Sequence, residues 1–196
     1  GGASRSPPRR PKARQNGRRA AAVSGGGDGG RNSCRRRRLT QRFEIDVFAY
    51  VLLDNHYHLL LRTRRANLSR AMQWFGVTYT NRINARHSRS GHLFQGRFKN
   101  MLVQNDAYLL QLSYYIHRNP LRAGMVERLG DYRWSSYAAY AYEKRAPEWL
   151  NTEVILSQLV NAGDRHQAYR INAQKYAKED SRLWEDLRHV FILVSR

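Results

Sequence analysis

The chain has 196 residues, a length that predicts one domain plus tails. Its 35 Lys and Arg residues outnumber its 15 Asp and Glu residues, and the net charge of +20 indicates a polyanionic partner such as nucleic acid. The single cysteine excludes an internal disulfide and cysteine-based zinc sites, and no apolar run approaches the roughly 18 residues of a membrane-spanning helix.

Residues 1–42 are predicted to form a disordered basic tail, because they are rich in Arg, Gly, Pro and Ala and show no hydrophobic period. They hold 13 basic residues and one acid, Asp28, whereas residues 43–196 keep a net charge of +8. The tail either is only solvated or helps to hold nucleic acid. It has no apolar stretch typical of a secretory signal, so a reducing intracellular compartment is expected.

A β-hairpin is predicted over residues 43–62. Aromatic and β-branched residues precede the turn-forming pair Asp54 and Asn55, and an apolar run follows it. Side chains alternate between the faces of a strand, so His56 and His58 share one face. Two imidazoles so placed can bind one metal ion, although a His-x-His pair alone is more often two polar positions on a half-buried strand.

A helix is predicted to follow the hairpin, with Asn67 as its N-cap. Its core-facing stripe has spacings of three and four and comprises Leu68, Met72, Phe75, Tyr79 and Ile83. Residues 88–91 end this helix, and a basic, aromatic segment leads into a short strand over residues 98–103.

A second helix is predicted from a cap at Asp106 to about His117, where the following Asn-Pro pair stops or kinks it. At about 100° per residue, Tyr115 and Asn119 share one edge of this helix, whereas Tyr114 points elsewhere. Asn119 could supply a neutral oxygen ligand for Mg²⁺ or Mn²⁺, and Tyr115 would then lie beside the metal as a nucleophile. Alternatively, both residues only pack at the edge of the helix.

The C-terminal third is predicted to be mainly helical. Residues 131–137 are predicted to form an aromatic turn onto the core. Two weaker helical patterns follow, around residues 154–160 and 166–176. The chain is therefore predicted to divide into a folded domain over residues 43–140, which holds the candidate site residues, and a helical extension over residues 141–196.

Several ordered motifs in this chain resemble those of the IS200-like, or REP-associated, tyrosine transposases, which are His-hydrophobe-His (HUH) single-strand endonucleases. The matching motifs lie at residues 49–60, 67–74, 91–99, 115–124 and 134–137. The resemblance runs continuously from about Phe43 to Tyr137 and more loosely to about Leu187.

The resemblance implies a chemistry for these residues. His56, His58 and Asn119 would hold Mg²⁺ or Mn²⁺, and Tyr115 would attack single-stranded DNA at hairpin-associated sites to form a 5′-phosphotyrosine. The expected phosphate contacts, each of which could instead be a solvated charge, are Arg62, Arg97, Lys99, Arg118 and Arg122. The implied partners are single-stranded DNA or DNA hairpins, and no membrane partner is implied. The protein would be a monomer or a homodimer in the bacterial cytoplasm near the nucleoid.

The resemblance also implies an α+β fold, with a ferredoxin-like antiparallel sheet, helices on one face and further C-terminal helices. Its first strand and helix should precede Phe43, where the Arg/Gly/Pro-rich segment stands instead, so the N-terminus is interpreted as aberrant or out of frame. The family topology puts strand one between strands three and four. Residues 43–196 are therefore expected to be poorly stable, unless those strands pair directly or a tail segment such as 20–23, or a second chain, bridges them.

Two other functions remain open. The chain could be an inactive remnant or a domesticated protein that binds single-stranded DNA or hairpins without cleaving them. A zinc hydrolase that uses His56 and His58 is a distant alternative, because the chain lacks the helical His-Glu-x-x-His pattern of such enzymes.

Overall fold

The computed structural model describes residues 39–103, 108–160, 162–175 and 190–194. It confirms an α+β protein. The strands and helices are β1 (Ile45–Leu52), β2 (Tyr57–Thr63), α1 (Leu68–Arg86), β3 (Lys99–Val103), α2 (Leu109–Arg122), α3 (Tyr137–Ala141), α4 (Glu153–Leu156), α5 (Arg165–Lys175) and β4 (Val190–Val194). None of the helices in these ranges combines the length and the apolar character that crossing a bilayer requires.

The predicted hairpin is formed by β1 and β2, which pair antiparallel. His58 lies opposite Val51, and the register shifts by one residue between Val47 and Ala49. Residues 134–136 run along the other side of β1, where the Ser136 N–H donates to the Tyr50 carbonyl at 3.0 Å. The aromatic turn predicted over residues 131–137 therefore covers this edge of the hairpin.

The four strands form one sheet in the order β1-β2-β4-β3. Strand β4 is parallel to both of its neighbours, and Ile192 pairs with Leu60 on one side and with Met101 on the other. The C-terminal strand thus occupies the position between the hairpin and β3 that the family topology gives to strand one. The sheet is therefore mixed rather than wholly antiparallel, because an apolar run does not by itself specify which strands it pairs with.

Helices cover both faces of the sheet, not one face as the resemblance implied. Leu59 and Leu61 belong to one core cluster with Met72 of α1, whereas Leu60 belongs to a second cluster with Ile116 of α2. Because successive side chains on a strand point to opposite faces, three consecutive buried leucines require a cover on each side.

The described structure begins within the predicted tail. Residues 39–43 are helical, and Leu39 and Phe43 are buried in the same cluster as Met72. Residues 39–42 are thus part of the folded structure, whereas residues 1–38 lie outside the described ranges. The predicted cap Asp106 also lies outside them.

Asn67 lies directly before α1, as predicted, but its side chain does not cap the helix. Its Nδ2 atom donates instead to the carbonyl of Phe43 at 2.9 Å. This bond ties the beginning of α1 to the helical segment 39–43.

Helix α2 continues through Pro120 to Arg122, beyond the end predicted near His117. A proline has no N–H to donate to the carbonyl four residues before it, which here is that of Ile116. The side chain of Asn119 compensates, because its Nδ2 atom lies 2.9 Å from the carbonyl oxygen of Tyr115 and 3.4 Å from that of Ile116.

Candidate functional site

The hairpin brings the two candidate histidine ligands together. His56 directly precedes β2 and is partly exposed, whereas His58 lies within β2 and is 1% exposed. The centroids of their rings are 5.0 Å apart, and the ring planes are nearly perpendicular at 87°. When two imidazoles bind the same metal ion at about 2.1 Å each, their ring centroids are about 5 Å apart.

A hydrogen bond defines which nitrogen of His56 is suited to bind a metal. Nδ1 of His56 lies 2.6 Å from Oδ1 of Asn55. An amide oxygen only accepts hydrogen bonds, so Nδ1 carries the hydrogen and Nε2 of the neutral ring carries the lone pair. Such an orienting contact to the second ring nitrogen is the usual companion of a histidine ligand.

Tyr115 faces the histidine pair from α2. Its ring centroid is 6.1 Å from that of His58, at an interplanar angle of 74°. Helix α2 packs against both strands of the hairpin, and Tyr115 is 2% exposed. Strand β2 and helix α2 therefore place the ring of Tyr115 beside the imidazole of His58.

Asn119 lies one turn after Tyr115 and is half-buried. Because its Nδ2 atom is bound to helix carbonyls, Oδ1 is the atom that could serve as a ligand. The described part of the chain holds no cluster of three or more His, Cys, Asp or Glu side chains that could bind a metal. Imidazole nitrogens and an amide oxygen are donor types that suit Mn²⁺, and Mg²⁺ where further oxygen ligands come from water and phosphate.

The neighbouring tyrosine points away from the histidines. Tyr114 is fully buried, and its ring centroid is 4.8 Å from that of Tyr169 in α5. Tyr115 and Tyr114 thus lie on different sides of α2, as the spacing of 100° per residue predicts.

Three of the five side chains that were predicted to contact phosphate lie where a nucleic acid could reach them. The guanidinium carbon of Arg122 lies 5.5 Å from the ring centroid of Tyr115. Arg97 and Lys99 are exposed at the beginning of β3.

The structure does not support the other two contacts. Arg62 forms an ion pair with Asp46 at 3.1 Å and stacks over the ring of Phe48. Arg118 is 7% exposed, and its Nε atom donates to the carbonyl of Tyr114 at 3.2 Å. A guanidinium that is already paired with a carboxylate or buried is poorly placed to reach a phosphate.

A buried polar network on the side of α2 opposite the candidate site was not predicted. His117 is 1% exposed, and its Nδ1 and Nε2 atoms lie 2.8 Å from Oη of Tyr169 and 2.6 Å from Oγ of Ser136. Burial lowers the pKa of His117 to about 3, so the imidazole is neutral at pH 7. His117 and Ser136 belong to motifs that the sequence singled out, but Tyr169 carries no sequence signal, because its partner is 52 residues away.

Comparison with known proteins agrees with the resemblance in the motifs. A family model described as "Transposase IS200 like" matches residues 32–119, slightly less than half of the chain. The match supports a DNA-directed activity of the transposase kind. No curated protein and no solved structure matches the chain.

Proposed function

Residues 32–119 carry the IS200-like transposase signature, and from this premise we propose that the chain cleaves and rejoins single-stranded DNA with Tyr115 as its nucleophile. The proposed substrate is a strand beside a DNA hairpin, and the proposed intermediate is a 5′-phosphotyrosine. The observation that carries the proposal is the approach of the Tyr115 ring to the His58 ring, 6.1 Å between centroids. A nucleophile and a pair of metal-binding groups are the two components that this reaction needs.

The reaction exchanges one phosphoester for another. The phenolic oxygen of Tyr115 attacks the phosphorus, the bond from phosphorus to the 3′ oxygen breaks, and the 3′ oxygen leaves as a hydroxyl. The phenol gives its proton to solvent, and the departing 3′ oxygen takes one proton from solvent. Because the new ester keeps the energy of the old one, a free 3′-OH can reverse the step without a nucleotide cofactor.

His56, His58 and the Oδ1 atom of Asn119 are the proposed ligands of a divalent cation. A bound Mg²⁺ or Mn²⁺ would polarise a phosphate oxygen of the DNA and hold it in place. The hydrogen bond from His56 Nδ1 to Asn55 orients the imidazole, and the bonds from Nδ2 orient the amide of Asn119.

Arg122 is the proposed binding group for the phosphate beside the nucleophile. Its guanidinium already lies over the Tyr115 ring, and a guanidinium can bind two phosphate oxygens at once. Since Tyr115 is 2% exposed, the strand must displace the groups that cover it, and movement of Arg122 from the ring to the phosphate would uncover the phenol. Arg97 and Lys99 are proposed to hold the flanking backbone.

A second candidate function is DNA binding without cleavage, and the burial of Tyr115 favours it. One experiment separates the two functions. The protein is incubated with Mn²⁺ and an oligonucleotide that carries a hairpin, a single-stranded flank and a label at its 3′ end, because a 5′-phosphotyrosine retains the 3′-side fragment, and it is then run on a denaturing gel. Label that migrates with the protein supports the transferase, whereas binding on a native gel without such a band supports the second function.

A further inference from the structure

Tyr169 connects the C-terminal extension to the helix of the candidate nucleophile. It is fully buried in α5, and its Oη atom lies 2.8 Å from Oγ of Ser113 and 2.8 Å from Nδ1 of His117, both in α2. Its ring also packs on that of Tyr114, with 4.8 Å between centroids. Tyr169 lies outside the segment that matches the family model, and it bonds to two residues that are one turn apart in α2.

The two hydrogen-bonded residues lie on the side of α2 that is turned away from the candidate site. Ser113 and His117 are four residues apart and so share one face. At about 100° per residue, Tyr115 lies about 200° from Ser113 around the helix axis, and Asn119 lies about 200° from His117. Helix α2 is thus held on one face and presents its candidate catalytic residues on the opposite face.

The donors at one end of this network fix the direction of the other bonds. Ser113 Oγ donates to the carbonyl of Leu110 at 2.7 Å, so it accepts from Tyr169. The single hydrogen of Tyr169 is then used, so Nδ1–H of His117 donates to Oη. Nε2 of His117 then accepts from Ser136 Oγ at 2.6 Å, a shorter contact than the 3.2 Å between Ser136 Oγ and the Tyr50 carbonyl. Each of the four groups, from Ser136 through His117 and Tyr169 to Ser113, thus donates one hydrogen bond to the next acceptor, and the imidazole in this series is neutral.

The network ends on the strand that pairs with the histidine strand. Ser136 Oγ accepts from the Tyr50 N–H of β1 at 2.9 Å. The next residue, Val51, pairs with His58. The same series of bonds therefore links α2, which carries Tyr115, to the hairpin that carries His58.

We propose that Tyr169 is a positioning residue that fixes the rotation of α2 about its axis, and thereby the placement of Tyr115 relative to His58. The proposal rests on the proposed role of Tyr115 as the nucleophile. Without the Tyr169 hydroxyl, Nδ1 of His117 would be buried without a hydrogen-bond partner, and α2 could regain a partner for it only by turning or shifting. A shift of about 1 Å at a reacting group can reduce a rate by about a hundredfold.

Tyr169→Phe tests this proposal, with Tyr140→Phe as its matched control. The hydroxyl of Tyr140 is equally buried in the same cluster, and it donates to the carbonyl of Phe48 at 2.6 Å rather than to α2. Both variants lose one buried hydroxyl, so their thermal unfolding midpoints should fall by similar amounts. We expect Tyr169→Phe to slow adduct formation at saturating DNA by about tenfold or more with an unchanged Kd, and Tyr140→Phe to keep the wild-type rate.

Ser113→Ala provides a second variant that keeps Tyr169 in place. It removes the acceptor on α2, and it should slow adduct formation in the same way, again without a change in Kd. The positioning role would be overturned if adduct formed at the same rate in all the variants. It would also be overturned if Tyr140→Phe slowed adduct formation as much as Tyr169→Phe, because the rate would then follow only the loss of stability.

A second measurement separates this proposal from the proposed reaction. Amide hydrogen exchange reports on residues 115–119 whether or not DNA is cleaved. We expect these amides to exchange faster in Tyr169→Phe than in Tyr140→Phe. If wild-type protein forms no adduct, the proposed reaction fails, and exchange alone then decides: identical exchange in the two variants would overturn the positioning role as well.

Discussion

The rings of His58 and Tyr115 lie 6.1 Å apart across the interface between β2 and α2. Both side chains are almost fully buried, at 1% and 2% exposure. The candidate site is therefore built from the packed interior of the domain, and the geometry of its groups depends on how the helix and the hairpin are held together.

Removal of either histidine should abolish metal-dependent cleavage. His56→Ala or His58→Ala leaves a single imidazole, and the affinity for Mn²⁺ measured by calorimetry should fall at least tenfold. His87→Ala is the control, because His87 is exposed at the end of α1. EDTA should stop cleavage in the wild-type protein, and cleavage that persists in EDTA would exclude a metal role for the histidine pair.

DNA affinity should depend strongly on salt. If Arg97, Lys99 and Arg122 each neutralise one phosphate, log K should fall with log salt at a slope of about −2 for a single strand. Arg97→Ala and Lys99→Ala should each make the slope shallower by about 0.7, because each removes one exposed cation. Arg118→Ala should lower stability and leave the slope unchanged, since Arg118 is buried. A slope near zero in fluorescence-anisotropy titrations would contradict binding through phosphates.

Strand β4 should be needed for stability. Ile192 pairs with strands on both sides, and Ile192→Pro removes a backbone donor from the interior of the sheet. We expect a loss of at least about 1 kcal/mol, which corresponds to a fall of about 2–4 °C in the midpoint of thermal unfolding. Ile192→Val keeps the backbone donor and should unfold near the wild-type temperature. Identical melting of the proline variant and the wild type would show that β4 is dispensable.

Acid should destabilise the protein through His117. Its pKa is lowered by burial to about 3 in the folded chain, from 6.5 in the unfolded chain. Between these values the unfolded chain binds the extra proton, so the stabilisation is complete above pH 6.5 and is lost as the pH falls. The loss reaches about 2 kcal/mol at pH 5. In urea unfolding at pH 5, 6 and 7, the free energy of His117→Gln should depend less on pH than that of the wild type, and an unchanged dependence would contradict the assignment.

The hairpin and the helix faces could be predicted from the sequence, because both follow from local periodicity. The alternation that puts His56 beside His58, and the angle that separates Tyr115 from Tyr114, need no knowledge of the rest of the fold. The position of β4 and the contacts of Tyr169 could not be predicted. Ile192 pairs with residues far away along the chain, and Tyr169 is 52 residues from its partner His117, so neither contact leaves a local pattern.

The prediction that α2 ends near His117 was wrong for a different reason. Helix α2 continues through Pro120. A proline inside a helix costs a backbone hydrogen bond, which made an end near His117 the expected outcome. The side chain of Asn119 supplies donors to the carbonyls of Tyr115 and Ile116. An Asn-Pro pair more often marks the end of a helix, so the sequence alone did not indicate this compensation.

The most direct test of the central claim is the covalent adduct itself. Wild-type protein, Tyr115→Phe and Tyr114→Phe are each incubated with Mn²⁺ and a 3′-end-labelled oligonucleotide that carries a hairpin and a single-stranded flank, and they are then resolved on a denaturing gel. Tyr115→Phe loses the nucleophilic oxygen but little binding surface, so it should form no adduct while its Kd for DNA stays within about twofold of the wild type. Tyr114→Phe should still form the adduct. An adduct that survives in Tyr115→Phe and disappears in Tyr114→Phe would contradict the assignment of Tyr115 as the nucleophile.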